Sequence, residues 1–329
     1  MVTGISVVIP NFNGTHLFPH TLPTVVQALA LSLKPAEIII VDDCSTDGSV
    51  PYLVQNYPSI KILSTSENSG FSIAVNIGVA ATRYDKVLVL NSDVQLTPTY
   101  FLHQFKYFDE PHTFGVMGRI TGWDDAKIQD GAKYPSLQGA KIKTAVNYLL
   151  KDTKAMDKGL YSMYLSGANA FIDKEKFLAI GGLNELFSPF YVEDYELSLR
   201  AWRLGFKCYY DYNSVCKHKT STTIKNKSRK KFVDIIYNRN KMLLHALHLE
   251  GSAKMWWYLQ LFLEAFLKAV IFKWDYLRSM KLFFNYSKQI KQSRLRFHEI
   301  ALEYGTKKSV REVAEFIWTS VSEKEKIYL

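Results

Sequence analysis

The sequence predicts an α/β protein with a largely parallel sheet, and two observations support this. First, short apolar runs typical of buried strands alternate with helix-compatible stretches along the front of the chain. Second, acidic residues follow two of these runs directly, as Asp42-Asp43 and as Asn91-Ser92-Asp93. Because ligands of such sheets bind at the carboxyl ends of strands, these positions predict a functional site as well as a fold.

Each element of the front half has its own signal. The first strand, 5–9, stops at Pro10, because proline lacks the backbone donor that a sheet needs. A helix over 21–32 ends before Pro35, and a β-branched strand over 37–41 follows. A short helix begins near Ser49, a third strand covers 60–63, a helix covers 70–81 and a fourth strand covers 87–90. This order predicts parallel βαβ units.

The second half gives weaker signals. We expect strands at 115–120, 169–171, 208–212 and 214–219, a turn at Gly181-Gly182 and a helix over 193–204. The segment from Trp123 to Tyr161 has few clear signals, and we interpret it as a mobile loop over the site.

Composition narrows the class of protein. The 329 residues are 47% hydrophobic, which suffices for one large domain or two smaller ones. The three cysteines show no metal-type or paired spacing, so they indicate a reducing compartment without a disulfide framework or zinc site. A strand follows Met1 almost at once, so we expect no secretory signal.

The net charge of +10 is concentrated in the last third of the chain. Residues 225–329 hold 21 Lys and Arg against 10 Asp and Glu, a net +11, whereas residues 1–224 hold a net −1. Such a tail favours an anionic surface as partner. No nucleic-acid-reading motif accompanies it, so we expect anionic lipid or phosphate and no nucleic acid. The basic run 225–231 is equally compatible with a solvated linker.

A stretch over 255–272 predicts an amphipathic helix. Its strongly polar residues, Gln260, Glu264 and Lys268, recur every four positions and share one face. That stripe argues against a membrane-spanning helix. We interpret the segment as a helix in the membrane interface, with Trp256, Trp257 and Trp274 near the headgroups. The alternative is a core helix that packs on the catalytic domain.

Several side chains are candidates for chemistry at the strand ends. Asp93 suits a divalent cation, which takes oxygen ligands, and a neutral His218 could complete its site. Asp42 and Asp43 could accept hydrogen bonds from a base or a ribose. The alternatives are a surface turn for Asp93, an Asx turn for Asp42 and Asp43, and a structural histidine for His218.

The acidic pair Glu193-Asp194 lies at the start of a predicted helix. A carboxylate in a cleft can act as a general base if it reaches the proton that it removes. The alternative is that both acids only complement the positive end of the helix dipole.

Taken together, the motifs identify a family. The segments "SVVIPNFNG", "IIIVDDCSTDGS", "ENSGFSIAVNIGV", "VLVLNSDV", "SGANAFI" and "FYVEDYELSLRAWRLGFK" occur in the family's order and spacing. Over residues 5–221 the chain resembles the inverting glycosyltransferases of family 2, which have the GT-A fold. It is most similar to the branch with bacterial rhamnosyltransferases and other enzymes of surface-polysaccharide synthesis.

The resemblance implies a role for each matching residue. Asp194 would be the general base with Glu193 beside it, and Asp93 and His218 would bind Mg²⁺ or Mn²⁺ at the donor diphosphate. The residues implied in donor binding are Pro10, Asn11, Asn13, Asp42, Asp43, Asn68, Gly70, Asn76, Asn91, Ser92, Gly167 and Ala168. Asn91 replaces the first acid of the family's DxD motif, which leaves fewer carboxylates for the metal.

The implied enzyme moves a sugar from a UDP-, dTDP- or GDP-sugar to a hydroxyl of a lipid-linked saccharide acceptor. It would act at the inner face of the cell membrane, as a peripheral protein. Its catalytic domain would cover 1–224, with the nucleotide-sugar half at about 1–95 and the acceptor half at about 96–224, and a membrane-associating tail would cover 225–329. Two other interpretations are a sugar nucleotidyltransferase and a non-catalytic nucleotide-sugar-binding protein. The first requires a glycine-rich, basic phosphate loop, which "PNFNGTHLFP" does not supply.

Overall fold

A computed structural model describes residues 2–124, 127–219 and 227–329 of the chain. The helices are α1 (Phe18–Ser32), α2 (Ser49–Asn56), α3 (Phe71–Ala80), α4 (Lys174–Ala179), α5 (Glu193–Arg203), α6 (Lys227–His248), α7 (Gly251–Val270), α8 (Trp274–Asn285), α9 (Ser287–Glu303) and α10 (Val310–Ser320). The strands are β1 (Val2–Asn11), β2 (Ala36–Asp42), β3 (Lys61–Ser64), β4 (Tyr84–Leu90), β5 (Val94–Leu96), β6 (Thr113–Gly122), β7 (Ile128–Asp130), β8 (Ala132–Gln138), β9 (Lys141–Leu150), β10 (Leu160–Tyr161), β11 (Asn169–Asp173), β12 (Lys207–His218) and β13 (Lys326–Tyr328).

The first four strands form the predicted parallel sheet. β1 lies between β2 and β4, β3 lies outside β2, and all three pairings are parallel. The buried strand residues explain why these runs are continuously apolar, since helices cover such sheets. The α/β class is therefore confirmed. Because Asn11 pairs with Asp42 in the register of β1 and β2, the polar residues that end these strands share one edge of the sheet.

The second half extends this sheet with mixed pairings. β11 lies antiparallel between β4 and β6, and β6 pairs in parallel with β12. The two strands predicted near 208–219 are one strand, β12, whose register with β6 shifts between Asp211 and Val215. β5 pairs with the end of β12, placing Val94 opposite His218. This pairing brings the two predicted metal ligands, Asp93 and His218, together.

The segment from Trp123 to Tyr161 is not a loop, so that prediction is wrong for its described residues. It contains β7, which pairs with β6, and the hairpin of β8 and β9. β13, at the C-terminus, pairs with β9 and completes a three-stranded antiparallel sheet. Local sequence signals missed this sheet because its third strand lies about 180 residues away in the chain.

The C-terminal helices pack on elements of the second half of the chain, since α6 contacts α5 and α10 contacts both α5 and β8. Helix α7 buries Trp257, Leu261 and Ala265 and exposes a much larger apolar face. We call this the apolar α7 face; its residues, each more than half exposed, are Met255, Trp256, Leu259, Phe262, Leu263, Phe266, Leu267 and Val270. Trp257 was predicted at the membrane, but it faces the core and stacks on His245 with 5.4 Å between ring centroids.

Candidate active site

Asp93 and His218 lie within contact distance at one end of the sheet. Asp93 Oδ2 is 3.3 Å from His218 Nε2, and each side chain is about a quarter exposed. His218 Nδ1 lies 3.2 Å from Gln129 Oε1, which orients the imidazole ring. The indole N–H of Trp123 donates to the backbone carbonyl of Asp93 at 3.0 Å. The turn that carries Asp93 is therefore fixed from two sides.

These two side chains fit a divalent cation bound jointly with a substrate. Within the described ranges, no group of three or more His, Cys, Asp or Glu side chains is arranged to hold a metal ion. Mg²⁺ is usually held in proteins by one or two carboxylates together with phosphate oxygens of the substrate. One carboxylate and one imidazole at the mouth of the sheet match such a site, in which the substrate supplies the remaining oxygens.

Asp42 and Asp43 are buried and organise the loops around them. Asp42 accepts hydrogen bonds from the Asn11 side chain at 2.8 Å and from the Ser45 backbone at 3.0 Å. Asp43 accepts three, from the Thr65 hydroxyl and from the backbone N–H groups of residues 69 and 70, each at 2.8 Å. Both carboxylates therefore shape the walls of the predicted nucleotide pocket.

The end of β1 contributes a second group of polar atoms. After Pro10, Asn11 Oδ1 is buried and has no hydrogen-bond partner among the described residues. Asn13 binds the next loop, since its backbone N–H donates to Ser45 Oγ and its Oδ1 accepts from the backbone of residue 46, both at 2.8 Å. A Cβ at Gly14 would overlap Asn11 Oδ1, so glycine leaves room for this amide oxygen.

The predicted donor-site residues within α3 and just before it differ in their surroundings. Gly70 has φ +92, and a Cβ there would lie 2.8 Å from Pro189 Cα, so glycine is needed for this close approach. Asn68 is exposed. Asn76 uses its amide to join α3 to another loop, accepting from the Leu183 N–H at 2.8 Å and donating to the Leu183 carbonyl at 2.9 Å. The Asn76 amide therefore joins α3 to the loop around Leu183 and does not face Asp93.

A chain of hydrogen bonds connects the motif around Asn91 to Asp194. The Asn91 N–H donates to the Ala168 carbonyl at 3.2 Å. The neighbouring Gly167 N–H donates to Asp194 Oδ2 at 3.0 Å. A Cβ at Gly167 would lie 3.5 Å from Asp194 Cβ, so the backbone passes directly beside the acid. The two acidic motifs, a hundred residues apart in sequence, therefore border the same site.

The acidic pair occupies the first turn of α5 in a buried setting. Burial, followed by the charge of Asp194, raises the pKa of Glu193 well above its ordinary value. Burial also raises the pKa of Asp194, although hydrogen bonds from the backbone of Gly167 and Tyr195, and then the charge of Lys133, oppose this. A carboxyl whose pKa is raised toward neutrality is suited to accept a proton.

Lys133 is a lysine whose charge acts on Asp194 and that the sequence did not indicate; burial lowers its pKa to about 7. It is buried, it contacts the Asp130 carboxylate, and its ammonium lies 2.8 Å from Asn147 Oδ1. The ammonium also lies 5.1 Å from the centre of the Tyr164 ring, which stacks on Tyr195. Because Lys133 belongs to β8, in the segment interpreted as a loop, no sequence signal placed it near Asp194.

The loop before the acids is held by α6, which sequence reasoning assigned to the tail. The Asn240 amide nitrogen lies 2.7 Å from the Phe187 carbonyl and 2.8 Å from the Tyr191 carbonyl. Arg239 donates to Asn240 Oδ1, which fixes the orientation of that amide. Tyr191 and Val192 both have positive φ, which a β-branched residue rarely adopts. The tail therefore positions Asp194 through this loop.

The fold of the chain is similar to that of solved glycosyltransferase structures. A structure described as GalNAc-T7 with UDP, GalNAc and Mn²⁺ aligns with a TM-score of 0.67 at 16% identity, over 98% of this chain and 58% of that chain. A mannosyltransferase from Pyrobaculum calidifontis, in complex with GDP-Man and Mn²⁺, aligns with a TM-score of 0.52 at 13% identity, over 98% of this chain and 81% of that one. The fold is that of the GT-A glycosyltransferases.

Sequence comparison gives the family. The model described as "Glycosyl transferase family 2" matches residues 6–179, more than half of the chain. The chain belongs to glycosyl transferase family 2. The N-acetylglucosaminyl-diphospho-decaprenol L-rhamnosyltransferase of Mycobacterium tuberculosis is 25% identical over 230 residues, which cover 62% of this chain and 74% of that protein. The family and fold predicted from the motifs are confirmed.

Proposed function

We propose that the protein transfers a sugar from a nucleoside-diphosphate sugar to an acceptor hydroxyl, with inversion, in the synthesis of a bacterial surface polysaccharide. The observation that carries this proposal is the hydrogen-bonded connection from Asn91 through Ala168 and Gly167 to Asp194. This connection supports the proposal because the motif proposed to bind the diphosphate and a carboxylate with a raised pKa then border one site.

Asp194 is the proposed general base. It takes the proton of the acceptor hydroxyl, whose oxygen forms a new bond to the anomeric carbon while the bond from that carbon to the diphosphate oxygen breaks. Its two oxygens each accept one backbone hydrogen bond, at 2.7 and 3.0 Å, so each keeps a lone pair for the substrate. Glu193 is buried beside it, and burial followed by the charge of Asp194 raises the pKa of Glu193.

Asp93 and His218 would hold the divalent cation, Mg²⁺ or Mn²⁺, which when bound neutralises the charge of the departing nucleoside diphosphate. Asn91 and Ser92 would contact the donor at the end of β4. Asn11, with its unpartnered buried oxygen, would accept a hydrogen bond from the nucleoside. Pro10, Asn13, Asp42, Asp43, Asn68, Gly70, Gly167 and Ala168 complete the proposed donor site. Asn76 is left out of it, because both ends of its amide bond the Leu183 backbone.

A binding screen tests the donor and metal assignments together. We expect one of UDP-, dTDP- or GDP-sugars to raise the melting temperature only with Mg²⁺ or Mn²⁺, and EDTA to abolish turnover reversibly. In Asp93→Ala, the metal concentration for half-maximal stabilisation should rise at least tenfold, because a principal charged ligand is lost. Asp157→Ala, which removes an exposed acid outside the site, should bind as the wild type. Metal-independent stabilisation by every donor would contradict the assignment.

The proposed acceptor is a saccharide on a lipid at the cytoplasmic face of the cell membrane. The Mycobacterium tuberculosis relative is named for a diphospho-decaprenol acceptor. The apolar α7 face offers a surface for the bilayer, and the net +11 of residues 225–329 suits anionic lipid. Among the described residues, no helix is long and apolar enough to cross a membrane. The proposed contact is therefore peripheral.

Vesicle sedimentation tests this contact. We expect binding to vesicles that contain phosphatidylglycerol at low salt. The affinity should fall more than tenfold in Phe262→Ser/Phe266→Ser, because burying each phenylalanine side chain in the bilayer contributes about 1.5–3 kcal/mol. Leu31→Ser/Val54→Ser removes two comparably exposed apolar side chains elsewhere and should bind as the wild type. Equal binding by all three proteins would contradict a bilayer contact at α7.

A further inference from the structure

We propose that a lysine-lined cleft beside the active site binds the diphosphate of the lipid-linked acceptor, an inference that rests on the proposed function. The cleft has a volume of about 770 Å³ and lies between β9, α6, α7 and α8. We call it the lysine cleft, after the five lysines in its wall: Lys141, Lys143, Lys241, Lys268 and Lys273.

The charges of the cleft are not balanced. Its acids are Asp234, Glu264 and Asp275. Glu264 is engaged already, because it contacts Lys141 and accepts a hydrogen bond from the Tyr276 hydroxyl at 3.0 Å. Asp275 lies 3.6 Å from the Arg278 guanidinium. The wall therefore keeps a positive excess that suits a multiply charged anion.

Lys143 and Lys241 contribute to this excess from β9 and α6. Within the described parts of the chain, neither forms an ion pair with a carboxylate. Lys241 is half-buried, and its ammonium lies 5.3 Å from the centre of the Tyr237 ring. Burial, and then the neighbouring charge of Lys141, lowers the pKa of Lys241, although Glu264 opposes this. An anion in the cleft would relieve that repulsion.

Two contacts connect the cleft wall with the segment that carries the proposed general base. The hydroxyl of Tyr195, the residue after Asp194, donates to the Lys143 carbonyl at 3.2 Å. The Tyr237 ring beside Lys241 packs edge-on against the Tyr191 ring, with 6.0 Å between centroids. Tyr191 belongs to the loop that leads into the acidic pair. A diphosphate in the cleft would therefore place an attached sugar toward Asp194.

The other end of the cleft opens on apolar surface. Leu267 lines the cleft and belongs to the apolar α7 face, and Ile271, one residue beyond α7, lines the cleft and is 56% exposed. A ligand with an anionic centre, a hydrocarbon chain on one side and a sugar on the other matches this arrangement. A bilayer phospholipid shares the phosphate and the chain but offers no sugar to the base.

Direct binding of farnesyl diphosphate tests the cleft without requiring any donor. In EDTA, where a metal-dependent diphosphate site cannot compete, we expect Lys143→Gln/Lys241→Gln to bind this probe at least tenfold more weakly than the wild type, by titration calorimetry. Lys288→Gln/Lys291→Gln removes two exposed lysines of α9 and equal charge, and should bind as the wild type. Melting temperatures within a few degrees confirm that all variants fold.

The outcomes separate the possible ligands. Unchanged farnesyl diphosphate binding in the cleft variant, or equal weakening in both double variants, would overturn the proposal. Selective loss of binding to phosphatidylglycerol vesicles, with farnesyl diphosphate binding retained, would assign the cleft to bilayer headgroups and also overturn it. With an active donor pair, the KM for a diphosphate-linked acceptor should rise tenfold or more, whereas the donor KM stays unchanged.

Failure of the proposed function gives a different pattern. If no nucleotide sugar bound or turned over, the transferase assignment would fail, yet the farnesyl diphosphate titration would still show whether the cleft binds a lipid diphosphate. If donor turnover were normal and the titration negative, the cleft alone would be rejected.

Discussion

Asp194→Asn is expected to lower kcat by about 10²–10⁴-fold and to leave donor binding within about twofold of the wild type. The amide cannot accept the proton of the acceptor hydroxyl, whereas the donor contacts proposed for Asp93 and Asn11 remain intact. Steady-state kinetics and donor titration on the same preparation measure the two effects separately.

The variant should also fold. Because burial raises the pKa of Asp194, its charge destabilises the folded state above the pKa that the group has in the unfolded chain. Neutral asparagine removes this cost while losing at most one backbone hydrogen bond. The matched control is Asp173→Asn, which changes the helix-capping acid of α4 outside the site and should leave kcat unchanged. Full turnover in Asp194→Asn would reject Asp194 as the base.

The pH dependence gives a second readout. The base must be ionised, so activity is lost as the pH falls through its pKa, and burial raises that pKa above the ordinary aspartate value. The acidic limb of the kcat/KM profile should therefore lie above about pH 4. This limb should be absent from the residual activity of Asp194→Asn.

The sequence predicted the features that depend on local patterns. Continuous apolar runs mark strands buried on both faces, so β1, β2 and β4 were found within three residues of their ends, and the edge strand β3 within one. Strand-end acids such as Asp93 were found because parallel strands bring their carboxyl ends to one edge. The hydrogen-bonded approach of Gly167 to Asp194 was accessible through the family resemblance alone, since no local signal connects them.

Features that depend on distant pairing were missed. β13 completes the sheet of β8 and β9, and β8 carries Lys133, whose charge acts on Asp194. In the sequence, Asn240 is an ordinary polar residue of a basic segment, yet its amide donates hydrogen bonds to backbone carbonyls of the loop before Asp194. The predicted boundary at residue 224 lies outside the described residues, and the contacts of α6 show that the residues after it support the site.

The apolar α7 face illustrates that a sequence pattern can predict a helix without showing which of its faces packs on the protein. The stripe of Gln260, Glu264 and Lys268 was recognised, but the sequence did not show which side faces the protein. Glu264 contacts Lys141, so the polar stripe lies toward the protein and the apolar residues face outward. Trp257, Leu261 and Ala265 are the exceptions, because they are buried, and the Trp257 ring stacks on His245 in the core.

The largest effect on stability is expected from Glu196→Gln. Glu196 is buried one turn beyond the acidic pair; its carboxylate lies 2.7 Å from the Arg200 guanidinium and 3.2 Å from His248 Nε2. Breaking a buried ion pair by removing one partner costs about 3–5 kcal/mol, because the other charge stays buried without compensation. Denaturant unfolding at pH 7 should show this loss.

The chain contains a matched control for this pair. Arg311 and Glu315 form the same four-residue spacing on α10, 2.8 Å apart, but both side chains are more than half exposed. Solvent screens such pairs, so Glu315→Gln should cost only about 0.3–0.5 kcal/mol. Equal losses from the two substitutions would show that burial does not determine the strength of the Glu196 pair.

The pH dependence of this effect follows from the charges around Glu196. Burial opposes its ionisation, but Arg200 and then His248 outweigh burial and lower its pKa to about 2. A carboxylate with a lowered folded-state pKa stabilises the fold above its unfolded pKa and loses that contribution as the pH falls through the folded value. The difference in unfolding free energy between wild type and Glu196→Gln should therefore be complete above about pH 4.5 and shrink toward pH 2. Because His248 belongs to α6, part of the measured loss comes from the contact between α6 and the helix that carries Asp194.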